Sequence, residues 1–236
     1  MDTTTLPAWQ ALSRHHEVMN LSIAELFERE PDRSAIRTLT GGGLTLDVSR
    51  SLASQDTFKH LYALADSVDL AQQRAALFSG EHINVSEDRA ALHMLLRSGD
   101  PADHPAAEEV RATVARIEQM SQAIRAGSWR GSSGQSIRHV VHIGVGGSYL
   151  GPRMASEALA YFREPGAAGP IRDHYVANID GHHIDQVLKS LTAAETLIVV
   201  VSKTFTTLET RTNAGSAKAW LERELPGNDL SGHFIA

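Results

Sequence analysis

Two turns in the second half of the chain carry residues whose types and spacing could bind an anion. The first turn has glycines at positions 144, 146 and 147, directly before Ser148. Glycine lets the backbone turn tightly and approach a ligand closely. The N–H groups at the start of a following helix then face the anion, with the positive end of the helix dipole behind them. The pattern predicts an anion site here, and a tight glycine turn without a ligand is the alternative.

The second turn, 202–207, follows a short apolar run and is rich in hydroxyl groups. It contains four hydroxyl side chains and one lysine, namely Ser202, Thr204, Thr206, Thr207 and Lys203. A phosphate has several acceptor oxygens, and hydroxyl and backbone donors at a helix N-terminus can satisfy them. The alternative is that these side chains only cap the next helix. Since one hydroxyl is enough for a cap, four of them favour a phosphate site.

Neither turn fits the common nucleotide motifs. The dinucleotide fingerprint would need a third glycine where Tyr149 stands, and no Gly-Lys-Ser/Thr sequence follows the first turn as a Walker A motif requires. The chain has no cysteine, and none of its 12 histidines shows the HExxH spacing of a zinc site. We therefore predict no metal and no cofactor, and we disfavour a nucleotide-binding oxidoreductase.

The elements around the turns alternate between strands and helices. Short β-branched runs predict strands over 139–143, 174–177 and 197–201, and helices are expected over 148–162, 182–190 and 206–224. Residues 233–236 read as the start of a further strand. This alternation predicts a parallel sheet flanked by helices, in which ligands lie beyond the carboxyl ends of the strands. Both turns follow such ends, so they can converge on one ligand.

The first part of the chain has a different pattern and reads as mainly helical. Ser22 and Glu25 have the spacing of a capping box, residues 38–48 predict a β-hairpin, and apolar periodicity predicts a long helix over 106–126. A further helix is expected after a Ser86 cap. The Gly- and Ser-rich segment 127–136 is the expected boundary between a helical part with a hairpin, 1–126, and an α/β domain, 127–236.

Composition limits the classes of partner. The net charge of −6 disfavours nucleic acid, which needs clustered Lys and Arg. The N-terminal residues lack the basic and apolar regions of a signal peptide, and no apolar run is long enough to cross a membrane. We expect a soluble, cytoplasmic protein.

Four segments in the same order resemble the amino-terminal part of the glucose-6-phosphate isomerase family. IGVGGSYLGP (143–152) is similar to that family's IGIGGSDLGP, and VSKTFTTLET (201–210) matches its SKTFTT-x-ET signature. NVSEDRAALHMLLR (84–97) and ANIDGHHI (177–184) also resemble family stretches. Tyr149 departs from the family, which usually has Asp at that position.

The resemblance implies a sugar-isomerase (SIS) type, Rossmann-like fold. It also implies that the sugar phosphate is held by residues matching the family motif, namely Gly147, Ser148, Ser202, Lys203, Thr204 and Thr207. The implied reaction interconverts glucose 6-phosphate and fructose 6-phosphate in glycolysis and gluconeogenesis, and the implied assembly is a homodimer.

The family's catalytic glutamate, ring-opening histidine and late lysine belong to motifs that this sequence does not contain. We therefore expect a fragment whose catalytic residues would lie beyond Ala236 and which is inactive alone. A non-catalytic SIS module that binds phosphosugars is the alternative.

Overall fold

A computed structural model describes residues 2–97, 104–163, 166 and 169–236. The chain forms two compact units, Met1–Glu108 and Glu109–Ala236. The domain boundary expected between residues 126 and 127 stays a prediction. Among the described residues, no helix is both long and apolar enough to cross a membrane.

The first unit consists of short helices and one hairpin. Its α-helices and strands are α1 Pro7–Val18, α2 Ile23–Arg29, α3 Arg33–Ile36, β1 Thr38–Gly41, β2 Leu44–Asp47, α4 Gln55–Ser67 and α5 Leu70–Ser79. The predicted capping box is confirmed, since the Ser22 hydroxyl accepts from the Glu25 N–H and the Glu25 side chain accepts from the Ser22 N–H. The predicted hairpin is confirmed as the antiparallel pair of β1 and β2.

Arg33 is a buried charged residue that holds part of this unit together. Its side chain has no exposure to solvent. It donates to the carbonyls of Ser49, Ser51 and Ala53 and pairs with Glu30 at 2.6 Å. A buried charge is tolerated when it is paired and hydrogen-bonded in this way, so Arg33 fixes the segment between the hairpin and α4.

The helix predicted after Ser86 is wrong. Asn84 and Arg89 exchange backbone hydrogen bonds instead, and the Ser86 hydroxyl donates to the Asn84 side chain at 2.9 Å. Local side-chain bonds of this kind offer the backbone an alternative to a helix, and Asp88 adopts a left-handed conformation with φ 49°. Up to residue 97, where the described part of this segment ends, one 3₁₀ turn follows, His93–Leu96.

The second unit holds the parallel sheet. Its elements are α6 Ala107–Ala126, which begins at the end of the first unit, β3 His139–Ile143, α7 Gly147–Ala158, β4 Arg172–Val176, α8 Gly181–Lys189, β5 Thr196–Val200, α9 Leu208–Glu224 and β6 Phe234–Ile235. The strand order is β4-β3-β5-β6, and all three pairings are parallel. The predicted α/β fold with a parallel sheet flanked by helices is confirmed.

Side chains alternate between the two faces of this sheet. Val141, Ile143 and Ile198 point to the face covered by α8 and α9, where Trp220 and Leu221 complete the core. Val140, Leu197 and Val199 point to the opposite face. There they line a cleft of about 830 Å³ together with residues of α6 and α7 and with Phe162, Pro170 and Ile171.

The Gly- and Ser-rich segment 127–136 is held firmly against the end of the chain. The Trp129 indole donates to the Gly232 carbonyl at 3.0 Å. The buried ring of His233 accepts from the Ser132 N–H at 2.9 Å and donates to the Thr196 carbonyl at 2.8 Å. These bonds join the segment to β5 and to the start of β6.

Candidate functional site

The sheet topology brings the glycine turn, 144–147, and the hydroxyl-rich turn, 202–207, to the same edge of the sheet. β3 and β5 are neighbours, with Ile143 opposite Val200. The Val201 N–H still donates to the Ile143 carbonyl at 2.9 Å, so the strands separate only where the turns begin. Because the carboxyl ends of adjacent parallel strands meet here, the location is the usual one for a ligand in a sheet of this class.

Glycine is required at two positions of the first turn. Gly146 has φ 61° and ψ −124°, a conformation that side chains disfavour. A Cβ on Gly144 would lie 2.5 Å from the Ser148 carbonyl oxygen. The turn can therefore lead from β3 into α7 in this way only with glycine at both positions.

The first turn of α7 leaves one backbone N–H without an acceptor among the described residues. The N–H groups of Ser148 and Tyr149 donate within the turn, to Val145 at 3.2 Å and Gly146 at 3.0 Å. The exposed Gly147 N–H has no such acceptor within the described residues. Gly146 provides no side-chain cap for the helix. Gly147 and the half-buried Ser148 thus lie where an anion would meet the helix dipole.

The second turn does not use its hydroxyls as caps. Helix α9 begins at Leu208, two residues later than predicted, and its N-cap Thr207 makes no side-chain cap bond. Ser202 and Thr204 lie in the preceding loop. This finding removes the main alternative for the cluster, which was capping of the helix.

Hydrogen bonds within the loop leave hydroxyl hydrogens able to donate. The Ser202 oxygen accepts from the Phe205 N–H at 3.0 Å, and its own hydrogen remains available. The hydroxyls of Thr204 and Thr206 share one bond of 2.7 Å, which uses one of their two hydrogens. Lys203 is exposed in the same loop. The cluster therefore offers hydroxyl donors to a phosphate, and its one charged side chain, Lys203, is exposed rather than buried.

Phe205, at the centre of this loop, has a strained backbone. Its φ of 54° is uncommon for any residue other than glycine, and its side chain is half exposed. Strain of this kind persists when the surroundings hold it and is concentrated at functional sites. The bond from the Phe205 N–H to Ser202 holds this conformation.

A third loop reaches the same edge from β4. The buried side chain of Asn213 on α9 donates to the Asn178 carbonyl at 2.9 Å and ties this loop to the helix that follows the hydroxyl cluster. Asp180 caps α8. Hydrogen bonds from the backbone and then the side chain of His182 lower the pKa of Asp180, which keeps it ionised.

Sequence reasoning missed three residues that shape this edge. They are Phe205, Asn213 and His142, whose ring bonds the Ser148 carbonyl. A polar residue inside an apolar strand was the available signal for His142. Within the described residues no group of three or more His, Asp or Glu side chains could hold a metal ion. The six residues expected to bind phosphate all lie in or beside the two turns, and their binding role stays a prediction.

Comparison with known proteins identifies the family. Residues 47–236 match the family model described as phosphoglucose isomerase. The chain is 41% identical to a glucose-6-phosphate isomerase of Burkholderia ambifaria over 241 residues, which is 100% of this chain and 44% of that protein. It is also 41% identical to glucose-6-phosphate isomerase 2 of Cupriavidus pinatubonensis, over 99% of this chain and 44% of that protein.

A solved structure shows the same fold. The crystal structure of a glucose-6-phosphate isomerase from Chlamydia trachomatis superposes with a TM-score of 0.74 at 24% identity, over 100% of this chain and 45% of that one. The chain thus spans less than half the length of the relatives it matches. The family model covers most of the chain, including both turns, and on that ground the chain belongs to the phosphoglucose isomerase family.

Proposed function

We propose that this chain binds the phosphate group of a hexose 6-phosphate between the two turns. In this role it forms the phosphate-binding part of an isomerase that interconverts glucose 6-phosphate and fructose 6-phosphate. One observation carries the proposal: four hydroxyl groups and the N-termini of α7 and α9 lie at the ends of adjacent strands, and the N-cap Thr207 makes no side-chain cap bond. The names of the relatives supply the substrate class.

The binding residues have separate roles in this proposal. The Gly147 N–H and the Ser148 hydroxyl donate from the start of α7. The hydroxyls of Ser202 and Thr204 donate from the loop before α9, and Thr207 stands at that helix N-terminus. Lys203 supplies positive charge, which matters because the net charge of the chain is −6.

Proton transfer belongs, in this proposal, to groups that the 236 residues do not contain. The reaction needs a base in reach of the proton that moves between adjacent carbons. Glu209 lies in the first turn of α9, beside the proposed phosphate position, whereas the reacting carbons are at the other end of the sugar. Homodimer formation and a cytoplasmic location remain predictions.

Calorimetric titration tests the binding proposal. Fructose 6-phosphate and inorganic phosphate should bind and compete with each other, while unphosphorylated fructose and NAD should not displace them. Binding of NAD in preference to the phosphosugar would instead support a nucleotide-binding site. No heat and no competition with either phosphate compound would contradict the proposal.

A further inference from the structure

The first turn of α7 contains a carbonyl that lacks its regular helical donor. Pro152 lies inside α7, four residues after Ser148. In a regular helix the N–H of residue 152 would donate to the Ser148 carbonyl, but proline has no N–H, and its ring crowds the same oxygen. The Ser148 carbonyl therefore does not receive the hydrogen bond that a regular helix would give it.

His142 on β3 provides that donor. Its Nε2 atom lies 2.6 Å from the Ser148 carbonyl oxygen. Because a carbonyl can only accept, Nε2 must carry the hydrogen, and the bond fixes the tautomer of the ring. A strand residue thus replaces the helical hydrogen bond that Pro152 removes.

Tyr175 on β4 holds His142 in place. The two residues are opposite each other in the sheet, and their ring centroids are 5.4 Å apart. The Tyr175 hydroxyl donates to the Pro152 carbonyl at 3.3 Å. Tyr149 packs its ring against the ring of Tyr175 at 6.1 Å. Two neighbouring strands therefore contact α7 between Ser148 and Pro152.

We propose that His142 is a positioning residue for the phosphate site. By bonding the Ser148 carbonyl it sets the direction of the first turn of α7, and so the positions of the Ser148 hydroxyl and the Gly147 N–H. Gly144 lies directly beside the same carbonyl, since a Cβ built at this position would be 2.5 Å from the Ser148 oxygen. This inference rests on the proposed phosphate binding.

A double-mutant cycle with Pro152 tests this role. His142→Ala should weaken binding of inorganic phosphate and of fructose 6-phosphate by roughly threefold to tenfold, the value of one hydrogen bond. Pro152→Ala alone should change the affinity little. In the double variant the backbone N–H restored at position 152 can donate to the Ser148 carbonyl, so the affinity should return close to the wild-type value.

The matched control is His139→Ala, which changes another histidine of β3 whose side chain points to the opposite face. It should leave phosphate affinity unchanged. The proposal would be overturned if His142→Ala weakened phosphate binding equally in the wild-type and the Pro152→Ala backgrounds. It would also be overturned if His142→Ala did not weaken phosphate binding at all. Denaturant unfolding of every variant separates a positioning effect from a general loss of fold.

Nitrogen-detected NMR of the histidine rings reports on the bond without any ligand. The wild type should show His142 protonated at Nε2, with a slowly exchanging ring proton that is absent in His142→Ala. The opposite tautomer would overturn the positioning role even if phosphate binds. If the tautomer is as expected but the wild type binds no phosphate compound, the proposed function fails and the positioning role fails with it.

Discussion

The hydroxyl groups of residues 202–207 are the most direct contribution of single residues to the site. The bonds of Ser202, Thr204 and Thr206 lie within the loop and leave hydroxyl hydrogens available. A hydrogen bond to a charged group is worth about 1.5–3 kcal/mol. Individual hydroxyls should therefore be measurable in binding experiments while contributing little to folding.

Thr204→Val removes one of these hydroxyls and keeps the shape of the side chain. We expect the affinity for fructose 6-phosphate to fall by roughly one to two decades, with the unfolding midpoint nearly unchanged. Calorimetry measures the first quantity and denaturant unfolding the second. The matched control is Thr212→Val on the exposed side of α9, which should leave affinity unaltered. Equal affinities in wild type and Thr204→Val would remove Thr204 from the site.

Gly144→Ala tests the close approach of the backbone in the first turn. The new methyl group would meet the Ser148 carbonyl at 2.5 Å, so either the turn or the start of α7 must move. Overpacking of this kind costs about 1–3 kcal/mol, and phosphate affinity should fall as well.

The control for this change is Gly151→Ala within α7. A Cβ at Gly151 would meet nothing within 4 Å, and alanine favours a helix over glycine by up to about 1 kcal/mol. Unfolding experiments should show opposite signs for the two substitutions. A neutral Gly144→Ala would mean that the turn has more room than the structure shows.

At the scale of elements, the parallel sheet contains a pair of histidines on adjacent strands. His139 on β3 and His174 on β4 approach to 3.1 Å between ring nitrogens. Burial lowers the pKa of His139. Burial and then the neighbouring His139 lower the pKa of His174. The folded sheet therefore favours the neutral form of both rings.

This pair predicts a loss of stability in acid. A histidine whose pKa is lowered by folding binds protons more readily when unfolded, so protonation favours the unfolded state. The stability that the folded state gains from keeping these rings neutral is fully present above the ordinary histidine pKa of about 6.5. It is lost progressively as the pH falls below that value. His174→Gln should make the free energy of unfolding fall less steeply between about pH 6.5 and 5.

Denaturant unfolding of both proteins at a series of pH values measures this effect. The reference is the difference in free energy of unfolding between wild type and variant at about pH 8, where both rings are neutral in the folded and the unfolded state. Parallel curves for wild type and variant would show that the pair does not contribute to acid sensitivity.

At the scale of the whole molecule, the chain corresponds to 44% of the length of its relatives. Binding energy from the phosphate accelerates a reaction only when it presents the substrate to groups that stabilise the transition state. General acid and base groups each contribute factors of about a hundred to ten thousand. The proposed division of labour places those groups outside these 236 residues.

The purified chain should therefore bind fructose 6-phosphate without isomerising it. A coupled assay of glucose 6-phosphate formation measures turnover, and mass spectrometry of the sample checks for isomerase from the expression host. Turnover near ordinary enzyme rates that disappears in Glu209→Gln would show that this chain contains the base. Activity that persists in Glu209→Gln and varies with the amount of host isomerase in the sample would come from the contaminant. That result would agree with a catalytic base outside this chain.

The sequence by itself determined the type of most elements in the second unit. Short β-branched runs predicted β3, β4 and β5 to within two residues, because apolar runs bounded by turn residues are local signals. Residues 233–236 were read as the start of a further strand, and β6 lies there. The glycine and hydroxyl motifs identified both turns and, through resemblance, the family. The helix expected after Ser86 failed because local bonds of Asn84 and Ser86 outweighed the apolar periodicity.

Only the tertiary structure decided which elements are neighbours and what the turns contact. The strand order β4-β3-β5-β6 depends on pairing between distant segments, and local sequence carries no record of it. The late start of α9 and the missing cap at Thr207 depend on how the loop packs. The bond from His142 to Ser148 joins a strand and a helix around a proline that the sequence shows plainly. The effect of this proline could not be predicted from sequence. The side chain that replaces the lost helical hydrogen bond is the one that the tertiary fold places next to the free carbonyl.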